Sequence, residues 1–181
     1  MRGAFALATV MMLSGVACAA QSTQARTTPA QGVVASATEV AQGPDIVHFQ
    51  GVRDVRFGAS RAELGSRLDT SRAGCSSQVS GMPQGNLVFA ADDRLVMMWF
   101  DAPLHTPEGV STGSTLQDVR AAYPGAQVLT APAGSHRFDG LLITQGDRGY
   151  LFLHDGVTVQ KAVAGYGDYL TRLFNTGFGS C

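Results

Sequence analysis

The sequence lacks the short motifs by which many enzymes are recognised. It has no G-x-S-x-G around a serine, no G-K-[ST] ending of a phosphate-binding loop and no pair of histidines at metal-ligand spacing. Its 13 basic and 14 acidic residues nearly balance and form no basic patch, which argues against a nucleic-acid partner. We therefore predict a protein that is not an enzyme and that has no cofactor, no metal site and no recognisable catalytic residue.

The chain also lacks an apolar run long enough to anchor stably in a bilayer. The run from Ala4 to Leu13 is short and follows a single positive charge at Arg2. That order is typical of a secretory signal, which we predict over residues 1–19. The mature chain is then exported to the periplasm or the cell exterior. One lysine among the basic residues, with abundant alanine and glycine, is typical of a GC-rich bacterial genome.

Cys18 leaves two ways of processing open. The order Ala17-Cys18-Ala19 fits the small-x-small rule for an ordinary signal peptidase, which would release a free protein. Alternatively, Gly15-Val16-Ala17-Cys18 is a lipobox, in which Cys18 receives lipid and becomes the new N-terminus. In that case the lipid would be the only attachment of the protein to the membrane.

Residues 20–45 are rich in Ser, Thr, Ala, Gln, Gly and Pro and contain no aromatic residue. Such a segment buries too little apolar surface to offset its ordering entropy, so we predict a flexible tether. After it, Cys75 and Cys181 are the only cysteines that remain, whichever way the signal is processed. In an oxidising compartment an even pair is expected to form a disulfide, here between the C-terminus and the first half of the domain.

Two segments of the folded part are similar to each other. They are VRFGASRAELGSRL, from Val55 to Leu68, and VSTGSTLQDVRAAY, from Val110 to Tyr123. At an offset of 55, a glycine, a hydroxyl residue and an acidic residue coincide. Ser60 and Thr115 are good N-caps, and an acidic residue follows each at the capping-box position. We therefore predict a short helix at the start of two duplicated units.

Each predicted helix is followed by a hairpin. The first spans Asn86 to Phe100 and turns at Asp92-Asp93-Arg94, where adjacent aspartates are expected as turn formers. The second spans Gly149 to Gly165 and turns at Asp155-Gly156, a strong hairpin signal beside which we expect His154 to be solvated. An additional strand is predicted over Gly140–Thr144. A final helix is predicted from an N-cap at Asp168 to Gly177, burying Leu170, Leu173 and Phe174.

These elements predict one α+β domain over residues 46–181. It consists of a duplicated helix-plus-β-hairpin unit, over about 50–102 and 105–165, and the C-terminal helix. The sheet is expected to be antiparallel, with the helices packed on one face.

The two helix starts resemble those of known envelope and secreted proteins. FGASRAELGSRL and TGSTLQDVRAAY are similar to the G-x-[ST]-x-x-[ED]-[VL] helix start of SmpA/OmlA-type outer-membrane lipoproteins. They are also similar to the tandem repeats of β-lactamase-inhibitory-protein-like proteins. The methionine common after the glycine is replaced by Ala59 and Ser114. The resemblance implies small helices on an antiparallel sheet and a binding or scaffold role.

The segment from Leu95 to Phe100 is apolar at every position. Regular alternation would place Leu95, Met97 and Trp99 on one face of the strand and the other three residues on the opposite face. One face must meet the helices, and the other is either covered by a second layer or exposed to a partner. Met and Trp are typical of recognition surfaces, so Leu95, Met97 and Trp99 are the candidate partner-binding residues.

We expect a monomeric, non-enzymatic protein of the cell envelope that docks a protein partner through its sheet. One alternative is an envelope enzyme of hydrolase type, with His105 as acid or base beside loop carboxylates. The other is a purely structural lipoprotein. A buried Trp99 would argue against docking, and a His105 without a neighbouring carboxylate would argue against the enzyme.

Overall fold

A computed structural model of the protein describes residues 43, 45–69, 74–135 and 137–177. The predicted signal peptide, Cys18, most of the tether and Cys181 lie outside these residues. The described part has three α-helices and ten strands, in agreement with the predicted α+β class. The helices are α1 (Arg61–Leu64), α2 (Leu116–Ala122) and α3 (Gly167–Thr176). The strands are β1 (Val47–His48), β2 (Gly51–Val52), β3 (Val55–Arg56), β4 (Ser76–Val79), β5 (Met82–Phe89), β6 (Leu95–Phe100), β7 (Gln127–Leu129), β8 (Asp139–Gln145), β9 (Arg148–His154) and β10 (Val159–Tyr166).

Seven strands form one antiparallel sheet with the order β4-β5-β6-β10-β9-β8-β7. Strands β4 to β6 come from the first half of the domain and β7 to β10 from the second. The two halves therefore meet where β6 pairs with β10, at the third and fourth positions of the sheet. Strands β1, β2 and β3 form a separate small sheet.

Helices cover both faces of the large sheet, and the prediction that they pack on one face is wrong. On one side, which we call the α2 face, the sheet packs against the small sheet, α1 and α2. On the other, the α3 face, α3 is the helix that packs against it within the described residues. The α2 face carries Leu87, Phe89, Leu95, Met98, Phe100, Leu141, Tyr150, Phe152, Val159, Ala162 and Ala164, and the α3 face carries Val88, Val96, Met97, Leu142, Leu151 and Val163. Since β6 is apolar on both sides, one helical layer cannot remove all of this surface from water.

The predicted caps of the first two helices are confirmed. Ser60 Oγ accepts from Glu63 N–H, and Glu63 reaches back to Ser60 N–H at 2.6 Å, which completes a capping box. Thr115 Oγ1 accepts from Asp118 N–H at 3.1 Å. The final helix has Gly177 as its C-cap and buries the three predicted apolar residues, but its N-cap is Tyr166, not Asp168.

Both predicted hairpins form, and each contains a β-bulge. In the first, Val88 pairs with Met97 and Phe89 with Leu95, which leaves Val96 as the extra residue on β6. In the second, Leu153 pairs with Lys161 and His154 with Val159, which leaves Gln160 as the extra residue on β10. A bulge inserts one residue, so it reverses the face on which every later side chain of the strand lies.

The start of each short helix is fixed to the hairpin of its own half by matching hydrogen bonds. Gly58 N–H donates to the Leu95 carbonyl at 2.8 Å, and Gly113 N–H donates to the Val159 carbonyl at 2.9 Å. In both halves the strand residue donates back, at 2.9 Å, to the residue that follows the glycine. Both glycines have positive φ, 95° and 86°, a conformation that glycine adopts at low cost.

Candidate ligand-binding groove

The bulge at Val96 separates the three residues predicted to form one contact surface. Leu95 lies on the α2 face with its side chain buried, whereas Met97 and Trp99 lie on the α3 face. Met97 is also buried, only 1% exposed, beneath the cluster around α3. A partner can therefore reach Trp99 but not Leu95 or Met97. The predicted surface was wrong because regular alternation does not survive an inserted residue.

Trp99 lines a groove on the part of the α3 face that no described helix covers, which we call the Trp99 groove. Its residues come from β4, β5, β6 and β10 and from the segments that adjoin β6. The groove has a volume of about 380 Å³, within the range of small-ligand sites. Its walls are formed by Gln78, Pro83, Gln84, Asn86, Trp99, Phe100, Asp101, Gln160, Lys161 and Ala162.

Sheet register brings the central groove residues side by side. Gln78 pairs with Asn86 across β4 and β5, and Asn86 pairs with Trp99 across β5 and β6. On the far side of Trp99, Lys161 follows the β10 bulge and places its ammonium nitrogen 5.7 Å from the centre of the indole ring. The two bulges therefore bring Trp99 and Lys161 to the same face. Neither the amides nor Lys161 was predicted, because their proximity to Trp99 follows from the sheet order.

The polar atoms of the groove are of mixed type. Amide groups predominate, and the two charged residues, Asp101 and Lys161, carry opposite signs. Asn86 Oδ1 is buried and has no hydrogen-bond partner among the described residues. A buried acceptor without a partner is costly. Because Oδ1 is shielded from solvent, a ligand donor can reach it only if the Asn86 amide rotates toward the groove.

His105 occupies a structural position. Its backbone N–H donates to the Asp45 carbonyl at 3.0 Å, and its carbonyl accepts from Val47 N–H at 2.8 Å. The ring nitrogen Nδ1 lies 2.8 Å from the Pro103 carbonyl. Within the described part, no carboxylate forms an ion pair with His105. The alternative of an envelope enzyme therefore has no acid–base pair at this residue among the described residues.

The aspartates of the first hairpin turn pair with arginines. Asp93 accepts from Arg61 Nε at 2.8 Å, and Asp92 lies 3.5 Å from Arg94 Nε. Asp92 Oδ1 also accepts from Arg94 N–H at 3.2 Å, and Asp93 N–H donates to the Ala90 carbonyl at 2.9 Å, as expected of turn-forming residues. The segments 45–69, 74–135 and 137–177 contain no group of three or more His, Cys, Asp or Glu side chains that could hold a metal ion.

His154 is buried, 5% exposed, and the expectation of a solvated turn histidine is wrong. It is the last residue of β9 and pairs with both Asp139 and Val159. Its Nδ1 accepts from Gly156 N–H at 3.2 Å, while no described residue is hydrogen-bonded to Nε2. Burial lowers the pKa of His154, because the charged imidazolium loses hydration.

Cys75 is half-buried and packs against the apolar cluster beneath α3. Its predicted partner, Cys181, lies outside the described residues, so the disulfide stays a prediction. Phe174, near the end of α3, belongs to the same cluster. The chain therefore leaves α3 on the face of the sheet where Cys75 lies.

No helix in the part of the chain that the structure describes is long and apolar enough to span a membrane. Neither a protein-family model nor a curated protein matches the sequence. Among solved structures, the chain is similar to an extracellular protein containing an SCP domain from Bacillus anthracis str. Ames, with 14% identity and a TM-score of 0.44. The match covers 77% of this chain and 51% of the other. A likeness this remote assigns neither a family nor an activity.

Proposed function

We propose that this is an exported, non-enzymatic binding protein and that the Trp99 groove is its binding site. The observation that carries the proposal is the position of Trp99, the only tryptophan in the sequence, half-buried in a groove of suitable size. Aromatic side chains surrounded by polar groups dominate the binding energy of many sites. The signal-like N-terminus supports export, and a lipid on Cys18 would hold the domain at the membrane through the tether.

We also propose that the two halves are copies of one unit. The support is that both halves join a glycine-led helix start to the hairpin by the same hydrogen bonds and carry a bulge at the same place. Each bulge residue, Val96 or Gln160, directly follows the first residue of its strand. The N–H and the carbonyl of that first residue, Leu95 or Val159, are hydrogen-bonded to the helix start of the same half. Duplication then places the groove at the junction of the two halves, beside the β6–β10 pair.

A protein partner, expected from the sequence, remains a second proposal. It rests on Trp99 alone, since Leu95 and Met97 are buried. A stable protein interface usually buries about 800 Å² on each partner and needs apolar residues at its centre. The large apolar side chains most exposed in the described part are Val128 and Val157, neither of which lines the Trp99 groove. This geometry favours a ligand that enters the groove over a broad docked surface.

Fluorescence tests the binding function directly, because emission excited selectively from tryptophan comes from Trp99 alone. The mature protein is titrated with separated protein, glycan and lipid fractions of a bacterial envelope. We expect one fraction to change the emission saturably, and the change to persist in the control variant Gln145→Ala, whose exposed residue lies at the end of β8. If no fraction produces a saturable change, the proposed function is wrong. Mass spectrometry of the purified chain decides between a lipidated Cys18 and a free N-terminus.

A further inference from the structure

We infer that the ligand of the Trp99 groove is a neutral saccharide, with one sugar ring stacked on the indole of Trp99. The inference rests on the proposed binding function and adds the chemical class of the ligand. It follows from three features of the groove: one flat aromatic ring, an excess of amides around it and no net charge. Each feature restricts the ligand in a different way.

The aromatic ring and the amides together match the two kinds of surface that a pyranose presents. A pyranose ring has faces of C–H groups and a rim of hydroxyl groups that both donate and accept hydrogen bonds. An indole offers a flat apolar face, and amide side chains likewise both donate and accept. In the groove, Trp99 is next to Asn86 and Gln78 in one row across the sheet, and Gln160 lies on the other side. The Gln160 amide nitrogen already donates to Asp155 and Thr158, so Gln160 offers a ligand its acceptor oxygen. Gln78 Nε2, in contrast, uses one N–H on the Pro83 carbonyl and keeps the other.

Asn86 supplies an acceptor that the fold leaves unused. Its Oδ1 is buried and lacks a hydrogen-bond partner among the described residues, although the side chain lines the groove. Rotation of the side-chain amide by about 180° exchanges Oδ1 with Nδ2 and turns the acceptor toward the groove, where a sugar hydroxyl can donate to it. Because an unpaired buried acceptor costs free energy and a paired one does not, this contact favours a ligand with a donor at that point.

The charges of the groove exclude a polyanion. Asp101 and Lys161 carry one charge of each sign, and the remaining polar wall residues are uncharged amides. Nucleic acids and phosphate-rich polymers are bound by several cations together, which the groove does not provide. The Lys161 ammonium lies over the indole and can move on its flexible stem when a ring stacks there.

The place of the groove argues against an extended peptide. Peptides that add to a sheet bind along a strand edge, where the backbone groups are unpaired. The Trp99 groove lies on the face of the sheet, and the nearby edge strand β4 is already bonded to the preceding segment. Leu68 bridges Val79, and Asp69 N–H donates to the Gln78 carbonyl at 2.8 Å. Side chains alone must hold the ligand.

The test is a titration of Trp99 fluorescence with short soluble oligomers of glucose and of N-acetylglucosamine, to about 10 mM, which detects even millimolar Kd values. We expect at least one oligomer to give a saturable change. Asn86→Leu, nearly equal in size, should weaken its Kd about tenfold because one hydrogen bond is lost. Lys161→Ala should change Kd by less than about threefold for a neutral ligand. Gln145→Ala is the matched control, and the Tm of each variant reports on folding.

The outcomes separate this inference from the proposed function. If no oligosaccharide gives a saturable response while the envelope protein fraction does, the ligand is a polypeptide and the saccharide inference is wrong. A response to the lipid fraction alone would likewise overturn the saccharide inference and leave the binding function standing. If neither the oligosaccharides nor any of the three envelope fractions gives a saturable response, both proposals fail. Equal Kd values for the wild type and Asn86→Leu would show that the ligand does not bind in the groove beside Asn86. A loss of binding in Lys161→Ala would show that the ligand is charged, and the neutral saccharide would be overturned.

Discussion

Replacement of the buried Gly165 by alanine should disturb the junction between the two halves of the sheet, whereas the same replacement at an exposed glycine should not. Gly165 lies in β10 and pairs with Met97 next to the β6 bulge. A Cβ added there would stand 2.3 Å from the Val96 carbonyl oxygen and 2.8 Å from the Met97 Cα. Real Cβ atoms do not approach this closely, and both neighbours are backbone atoms that no rotamer change can move.

The magnitude follows from what must shift. To admit the methyl group, β6 and β10 must separate locally, which strains the packing around buried Met97 and weakens at least one ladder hydrogen bond. Overpacking costs about 1–3 kcal/mol, and a lost hydrogen bond costs about 1 kcal/mol more. The usual gain from replacing a strand glycine by alanine does not apply, because Gly165 has a φ of 157°, a conformation that L residues rarely adopt. We expect Gly165→Ala to lower the free energy of unfolding by about 2–4 kcal/mol.

Urea denaturation of the wild type and the variant measures this difference. The matched control is Gly125→Ala, at a turn where an added Cβ meets nothing within 4 Å. The control should leave stability unchanged or raise it by about 0.4–1 kcal/mol. If Gly165→Ala loses less than about 1 kcal/mol relative to this control, the close contact between β6 and β10 is not as described. Trp99 emission should also change in Gly165→Ala, because Trp99 lies on β6 only two residues after Met97, which pairs with Gly165.

Three further predictions concern other parts of the fold. Because burial lowers the folded-state pKa of His154, the unfolded chain binds more protons, so stability should decline as the pH falls below about 6.5. His154→Phe should flatten that decline in denaturation measured across pH, and an unchanged slope would exclude His154 as its source. Mutation of Cys75 and Cys181 to serine should cost up to about 4–5 kcal/mol if the disulfide forms, and mass spectrometry that finds two free thiols would contradict the bond. Ser60→Ala and Thr115→Ala should each cost about 1 kcal/mol in urea unfolding, and a negligible loss would show that the caps do not stabilise their helices.

Local signals predicted the local structure of this chain. The capping box at Ser60 and the second hairpin depend on residues within a few positions of each other, and both form. The turn of that hairpin is one residue later than predicted, because Asp155 N–H donates to the Thr158 carbonyl and encloses Gly156 and Val157. The start of α3 was misplaced by two residues: Asp168 is a good N-cap by type, yet Tyr166 is the N-cap and the helix begins at Gly167. Such errors are small because the competing choices are adjacent in the sequence.

Long-range packing could not be predicted in the same way. That α3 covers the opposite face from α1 and α2 depends on which strands become neighbours, and strand order is set by contacts between distant segments. His154 illustrates the difficulty: its position beside a turn suggests solvent, but its pairing with Asp139 and Val159 places it inside the sheet. From the sequence alone, a polar residue at the end of a buried strand cannot be distinguished from a turn residue, because the strands that flank it in the sheet are not known.

The Trp99 groove shows how one inserted residue can convert a core position into a site. With regular alternation from Leu95, the indole would lie on the α2 face, which the small sheet and two helices cover. The bulge at Val96 turns it to the α3 face, and the bulge at Gln160 does the same for Lys161. Bulges that re-aim side chains are common next to functional sites. The joint effect of the two bulges on Trp99 and Lys161 therefore supports the proposed binding role of the groove.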